Sequence, residues 1–407
     1  MCKKIFICSA LICVLIGSSA AGEPGSAVSI STAMQVQTDP GAGTKAPVFP
    51  QLLWEKKSAK PLTSSAISKD GSRIAIADET GYLTLYNTKG EKLWAYRYGG
   101  KLPKRAYEFR SDKADTAILN VKFSAAGKYL IGDLRVLNTW NDFRGFGRTE
   151  EYEPYRTILL DHNGKLSWQT AKEGDHYLGG DEYVLIRSWP VDESDTRPVN
   201  YYILDIMGHL QFAGKTGGDF LRGESVGISD DSAYIYLNNQ IIESKSGRIV
   251  WEIANGLFEG INNDHAIVRS NNSGEIYDLI SKKKLLSITT SPVFFMTKNH
   301  VASIHSEQGE GSMTVHDIET GELVSTCQCL PDDLAGHEKL LYLTKDAQYL
   351  YLGGEKNLVL CGKNGTIIWR LPVTVKPFSS FNYYSLTESG GHVLFGYDTT
   401  VKLYKSF

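Results

Sequence analysis

The residues of this chain whose types could do chemistry are three cysteines in its body (Cys327, Cys329 and Cys361), nine histidines, and two acidic clusters. The clusters, Glu150, Glu151 and Glu153, then Asp192, Glu193 and Asp195, offer the oxygen ligands that calcium prefers, but neither follows an EF-hand or other calcium-loop spacing. Solvated charge is the expected state of both. The histidines form no HExxH pair, no CxxCH haem attachment and no recognisable triad spacing. No catalytic residue, metal ligand or cofactor contact is therefore expected. Cys327 and Cys329 stand one residue apart, a spacing open to a redox or metal role, and three thiols cannot make a disulfide framework.

A second kind of chemistry, recognition, is carried by aromatic and basic side chains. Trp140 lies in RVLNTWNDFRGFGRTEEYEPYRT (135–157) beside Phe143, Arg144, Phe146 and Arg148, and Trp189 opens SWPVDESDTRPVN (188–200). The segment 97–116 adds six basic residues, Lys104 and Arg105 among them, with Tyr107 and Phe109 interleaved. Trp, Tyr and Arg dominate binding hot spots. These residues are the candidates for contact with a partner, and packing of the insertions onto the body of the protein is the competing explanation.

The elements that must position them repeat. NTKGEKLW (87–94), DHNGKLSW (161–168), SKSGRIVW (244–251) and GKNGTIIW (362–369) each place a Gly four residues before a Trp, after a β-type run. Degenerate copies put Phe212, Leu286 and Ser325 in the same slot, and QLLWEKK puts Trp54 there. The eight slots, at 54, 94, 168, 212, 251, 286, 325 and 369, are about 45 residues apart on average. Upstream of the slots lie turns such as SKDGS (68–72), SAAGK (124–128), SDDSA (229–233), TKDAQ (344–348) and TESGG (387–391). Strand a, a Ser/Asp turn, strands b and c, a Gly turn and strand d make a four-stranded antiparallel unit. No convincing amphipathic helix interrupts the pattern.

The reading is an all-β, eight-bladed β-propeller over 49–407, with seven blades the alternative count. The chain after Trp369 supplies three strands, so the segment around Trp54 must complete the last blade as an N-terminal closing strand, which removes exposed sheet edges. Trp54, Trp94, Trp168, Trp251 and Trp369 are expected to dock blade on blade, each burying on the order of 150–250 Å² with the indole N–H finding a backbone acceptor. In this order of strands the b–c and d–a connections share a face. The insertions 97–116, 134–157 and 188–200 should therefore form one raised patch. Cys327 and Cys329 should leave blade 6 on that face, with Cys361 toward the opposite one, so a bridge to Cys361 is not expected. A Cys327–Cys329 loop or free thiols remain open.

The Gly-x-x-x-Trp repeat resembles that of the PQQ-like (quinoprotein) propellers, over nearly all of 50–407, while the Ser/Thr-x-Asp-Gly turns resemble those of WD40 blades. The resemblance implies two branches. One holds quinone and calcium with an adjacent Cys-Cys pair, which this chain lacks. The other is the cofactor-free, BamB-like branch of envelope interaction scaffolds. The second fits better: a non-enzymatic propeller mediating protein–protein interaction, with an envelope or secreted protein as partner. A PQQ- or metal-dependent oxidoreductase and a polysaccharide or cell-wall binder using Trp140 and Trp189 as stacking platforms are the alternatives.

Export follows from the start of the chain. Lys3 and Lys4 precede an apolar run, Ile5 to Ile16, and then Gly17, Ser18, Ser19, Ala20 and Ala21, the layout of a cleaved signal peptide spanning 1–21. Residues 22–48 are Gly-, Ser-, Thr- and Pro-rich and read as a disordered leader. No lipid anchor is expected, because Leu11 and Ile12 stand where a lipoprotein signal needs a small residue before Cys13. Without Lys3 and Lys4, 41 basic residues face 46 acidic ones, a net charge near −5 that carries no nucleic-acid footprint. No transmembrane segment is expected, and the protein is read as periplasmic or secreted. Asn271 and Asn364 head sequons, which matter only in a eukaryotic secretory route.

Overall fold

The computed structural model describes residues 50–407 apart from short connections, chiefly 100–114, 142–147, 189–199, 216–224, 330–339 and 373–382. Eight four-stranded antiparallel sheets follow one another along the chain. Blade 1 runs from strand a at Leu62–Ile67 to strand d at Lys92–Arg97, and blade 7 ends with strand d at Ile367–Pro372. Blade 8 takes strands a to c from Tyr383–Leu386, His392–Tyr397 and Thr400–Lys405, and its fourth strand is Gln51–Lys57, paired Gln51 to Lys405. The ring thus has eight blades, and the N-terminal strand closes it.

Two turn chemistries set each blade. At the a–b turn of blade 1 the Ser68 hydroxyl donates to Asp70 Oδ1 (2.6 Å), while the Ser72 amide donates to the same oxygen (3.0 Å) and the Arg73 amide to Ser68 Oγ (3.0 Å). The same Ser/Thr–Asp lock recurs at Ser229–Asp231 (2.6 Å) and Thr344–Asp346 (2.7 Å). Such side chains replace the missing backbone partners of a tight turn. At the c–d turn of blade 2, Asp161 Oδ1 accepts from the Asn163 and Lys165 amides, both at 2.9 Å. Strand d then carries a bulge, and the slot residue always follows it: Trp94 opposite Leu85, Trp168 opposite Leu159, Phe212 opposite Ile203, Ser325 opposite Val315, Trp369 opposite Leu360. A bulge sharpens strand twist. Its recurrence explains why one side chain per blade is aimed at the next.

The docking geometry is direct. Trp54, Trp94 and Trp168 donate their indole N–H to the carbonyls of Thr88 (2.9 Å), His162 (2.9 Å) and Ile206 (3.0 Å) in the following blade's c–d turn. Trp369, 2% exposed, donates to Ser406 O at 3.2 Å. Trp251 sits edge-on to Phe258 and Tyr277, with ring centroids 5.1 and 5.4 Å away. Gly164 (φ 79°) shows why the repeat needs glycine, since a Cβ there would lie 2.6 Å from the Trp94 ring. Gly164→Val should therefore cost about 2–4 kcal/mol by combining overpacking with an unfavourable φ, as chemical unfolding would show. A loss under half a kcal/mol would mean the turn yields freely.

The core is distributed in wedges between blades. Leu83, Leu85, Ile118 and Leu160 join blades 1 and 2, and Ile131, Leu159, Val184 and Ile186 join blades 2 and 3. The wedge between blades 6 and 7 contains Cys327 and Cys361, joined by a disulfide with their Cα atoms 6.4 Å apart. This corrects the expectation that Cys361 lies out of reach. Cys327 is fully buried inside strand d, Leu323–Cys329, opposite Met313, instead of leaving the blade on the insertion face. Sheet twist swings an outer strand obliquely across its neighbour. Position along the strand therefore does not separate residues of adjacent blades by face.

Candidate interaction face

Strand order puts the b–c and d–a connections on one face, and among the described residues the strands of blade 2 extend farthest along it. Its strands b and c, Tyr129–Asn141 and Arg148–Asp161, stay paired far beyond the level at which strand d stops, at Thr157 opposite Thr170. Strand a, Asp115–Phe123, accompanies them as far as Asp115 opposite Leu137. The last four pairs, Asn138–Glu151 to Asn141–Arg148, are two-stranded. The eight residues from Leu134 to Asn141 give the ribbon a rise of about 25 Å. The insertion read from sequence as an enlarged connection is thus largely regular hairpin.

This ribbon holds Trp140 opposite Thr149 and Arg148 opposite Asn141, close to its tip. Lys104, Arg105, Phe143, Arg144, Phe146 and Trp189 lie outside the described residues, as does most of 97–116. The foot of the 189–199 connection is pinned, because Ser188 Oγ donates to Asn200 O (2.9 Å) and accepts from the Asn200 amide (3.1 Å). At the end of blade 1, Arg97 lies over the Tyr82 ring at 5.0 Å.

Beneath the ribbon, between blades 2 and 3, lies a polar network that no sequence motif announced. His176 Nδ1 meets Asp133 Oδ1 and His176 Nε2 meets Asn120 O, each at 2.8 Å. Asn120 Nδ2 donates to Asp133 Oδ2 at 2.8 Å, and Arg135 stands 3.8 Å from the same oxygen. Both ring nitrogens face acceptors, an arrangement that an imidazolium satisfies with its two donors. Burial alone would raise the Asp133 pKa, but the His176 charge and hydrogen bond, with Asn120 and Arg135, bring it below the ordinary carboxylate value. Side-chain exposures of 1% for His176 and 5% for Asp133 keep the pair from substrate. It is built to hold two blades in register.

Lys122 extends this network toward the axis. Its ammonium donates to His176 O (3.0 Å) and lies 5.2 Å from the Tyr177 ring centroid. Loss of hydration lowers its pKa, and the charges of Asp133 and Asp175 act in the opposite direction. At the opposite mouth the a–b turns converge. Lys69 of blade 1 reaches Asp230 of blade 4 at 2.8 Å, and the Glu388 amide of blade 8 donates to Lys69 O at 2.8 Å.

The disulfide is buried in a wedge between blades, Asp230 pairs with Lys69, and Glu259 pairs with Arg269 (2.9 Å). Among the described residues no three His, Cys, Asp or Glu side chains are grouped to hold a metal ion. No described helix is long and apolar enough to cross a membrane.

No protein-family model matches the chain, and no curated protein matches it in sequence. Among solved structures it is similar to BamB from Moraxella catarrhalis, with a TM-score of 0.53 and 14% identity over 88% of this chain and 100% of that one. The likeness shows a shared β-propeller fold.

Proposed function

We propose that this chain is a non-enzymatic, exported scaffold of the cell envelope that binds a protein partner on the face bearing the blade 2 ribbon. The ribbon carries the reading. A paired hairpin that runs about 25 Å along the strand past the level where strand d ends, two-stranded over its last four pairs, presents its residues with little ordering cost on binding. Trp140 and Arg148 near its tip, with Phe143, Arg144 and Phe146 in the tip sequence, are the proposed anchors. Lys104, Arg105 and Trp189, in the sequence insertions 97–116 and 188–200, are further proposed contacts that lie outside the described residues. Residues 1–21 as a cleaved signal, 22–48 as a leader and 49–407 as the propeller complete the organisation. The buried disulfide supports an oxidising compartment such as the periplasm. Similarity to BamB supports a role in the envelope.

The test is crosslinking in the intact envelope, with wild type compared to a variant in which 138–151 is replaced by a two-residue turn. A discrete protein adduct should form with wild type and fall at least about ten-fold on trimming, equivalent to more than 1.4 kcal/mol of binding. Equal adducts from both proteins would remove the ribbon from the interface. Selective capture of wall glycans by wild type alone would replace the protein partner with a polysaccharide.

A further inference from the structure

Around the ring, a large apolar slot residue meets the following blade at nearly every junction. Trp54, Trp94 and Trp168 lie against Gly90, Gly164 and Gly208, and Phe212 lies against Gly247. Leu286 approaches Gly321, Trp251 packs on Phe258 and Tyr277, and Trp369 bonds to Ser406. The exception is the junction of blades 6 and 7. There the slot residue is Ser325, and Gly365 lies so close to the strand that a Cβ would fall 1.9 Å from the Thr326 carbonyl. An open hollow lined by Val324, Gln348, Tyr349, Lys363 and Asn364 marks the same seam. The disulfide crosses this seam, two residues beyond Ser325.

We propose that the Cys327–Cys361 bridge is a covalent clamp that stands in for the missing tryptophan, making blades 6 and 7 the redox-sensitive seam of the ring. An indole dock supplies buried apolar area and one hydrogen bond. Ser325 supplies neither on that scale. The disulfide ties strand d of blade 6 to strand c of blade 7 and removes the freedom of the seam to part, and its loss leaves a junction with no aromatic or large aliphatic side chain in the slot. Reduction by a dithiol is balanced: one reagent thiolate attacks a cystine sulfur and breaks the S–S bond, then the second closes the reagent's own disulfide. Two electrons and two protons pass to the cysteines. Both cysteines are fully buried, so the folded protein shields the bond from this attack. The clamp is therefore set during folding, in a compartment that supplies a thiol oxidant.

Hydrogen exchange read by mass spectrometry tests this on three samples: oxidised wild type, wild type unfolded and refolded in dithiothreitol, and C327A/C361A. The expected result is exchange faster by about ten-fold or more in Leu323–Cys329 and Asn357–Gly362, with the tryptophan-docked seams unchanged. W94A, as a comparator, should loosen its own seam with blade 2 instead. Unchanged exchange in blades 6 and 7 would overturn the proposal. So would exchange raised evenly around the ring, or failure of both bridge-free forms to fold, since either would make the bridge a global requirement instead of a local clamp. None of these outcomes depends on whether the ribbon binds a partner.

Discussion

Replacing Asp133 by alanine lowers the unfolding free energy by about 3–5 kcal/mol, among the largest losses expected from a single change in this protein. The reason is asymmetry. Asp133 is buried and satisfies His176 and Asn120 together, so its removal strands the buried His176 ring and the Asn120 amide. Asp133→Asn keeps the shape and loses the charge, and should cost somewhat less. The pH dependence has a fixed sign. Because the folded-state pKa of Asp133 lies below its unfolded value, the stabilisation is complete above about pH 4 and is lost as pH falls through the folded value. Guanidinium unfolding of wild type and Asp133→Asn should therefore give curves separated at pH 7 that converge in strong acid. Curves that keep a constant separation down to pH 2 would show that folding does not shift the Asp133 pKa.

Trp369→Ala is the second large effect, again about 3–5 kcal/mol. Its indole is buried between blades 7 and 8 against Tyr351, with ring centroids 6.0 Å apart, and bonds to Ser406 O. The Tyr351 hydroxyl in turn donates to Gly390 O and accepts from the Ser406 hydroxyl (2.9 Å). A cavity here also loosens the C-terminal end of the closing sheet, because Ser406 follows the strand that pairs with Gln51–Lys57. Trp369→Phe should recover most of the loss, since the aromatic volume matters more than one net hydrogen bond of about 1 kcal/mol. If Trp369→Phe were as damaging as Trp369→Ala, the indole N–H would be the larger contributor. Trp94, half-buried, should cost less than Trp369 when truncated.

The fold was legible because it is local grammar repeated. Ser68–Asp70, Asp161 and Gly164 each specify a turn from within a few residues, and the slot register follows from the bulge in strand d. The disulfide was not legible, because it depends on how twist sets strand d of one blade across strand c of the next. Nor was the Asp133–His176 pair. A charged residue inside an apolar strand, as in IGDLRV, and a histidine in DHYL were the available signals, but their pairing spans two blades. Of the proposed contact face, the sequence located the insertion in blade 2 yet treated it as a loop. Its alternation is obscured by Asn, Glu and Pro154, and only the ladder from Leu134 to Asn141 reveals a hairpin.

The closing sheet has a consequence for when the protein can exist at all. Gln51 lies opposite Lys405, so the first described strand finds its partner only in the last described one. Seven blades can form from neighbouring residues as they emerge, while the eighth requires a contact spanning about 350 positions, whose loop-closure entropy is met late. A ribosome stalled before the final strand, or a protease that trims it, would leave seven finished blades, the a–b hairpin of the eighth and an N-terminal strand with nothing to pair.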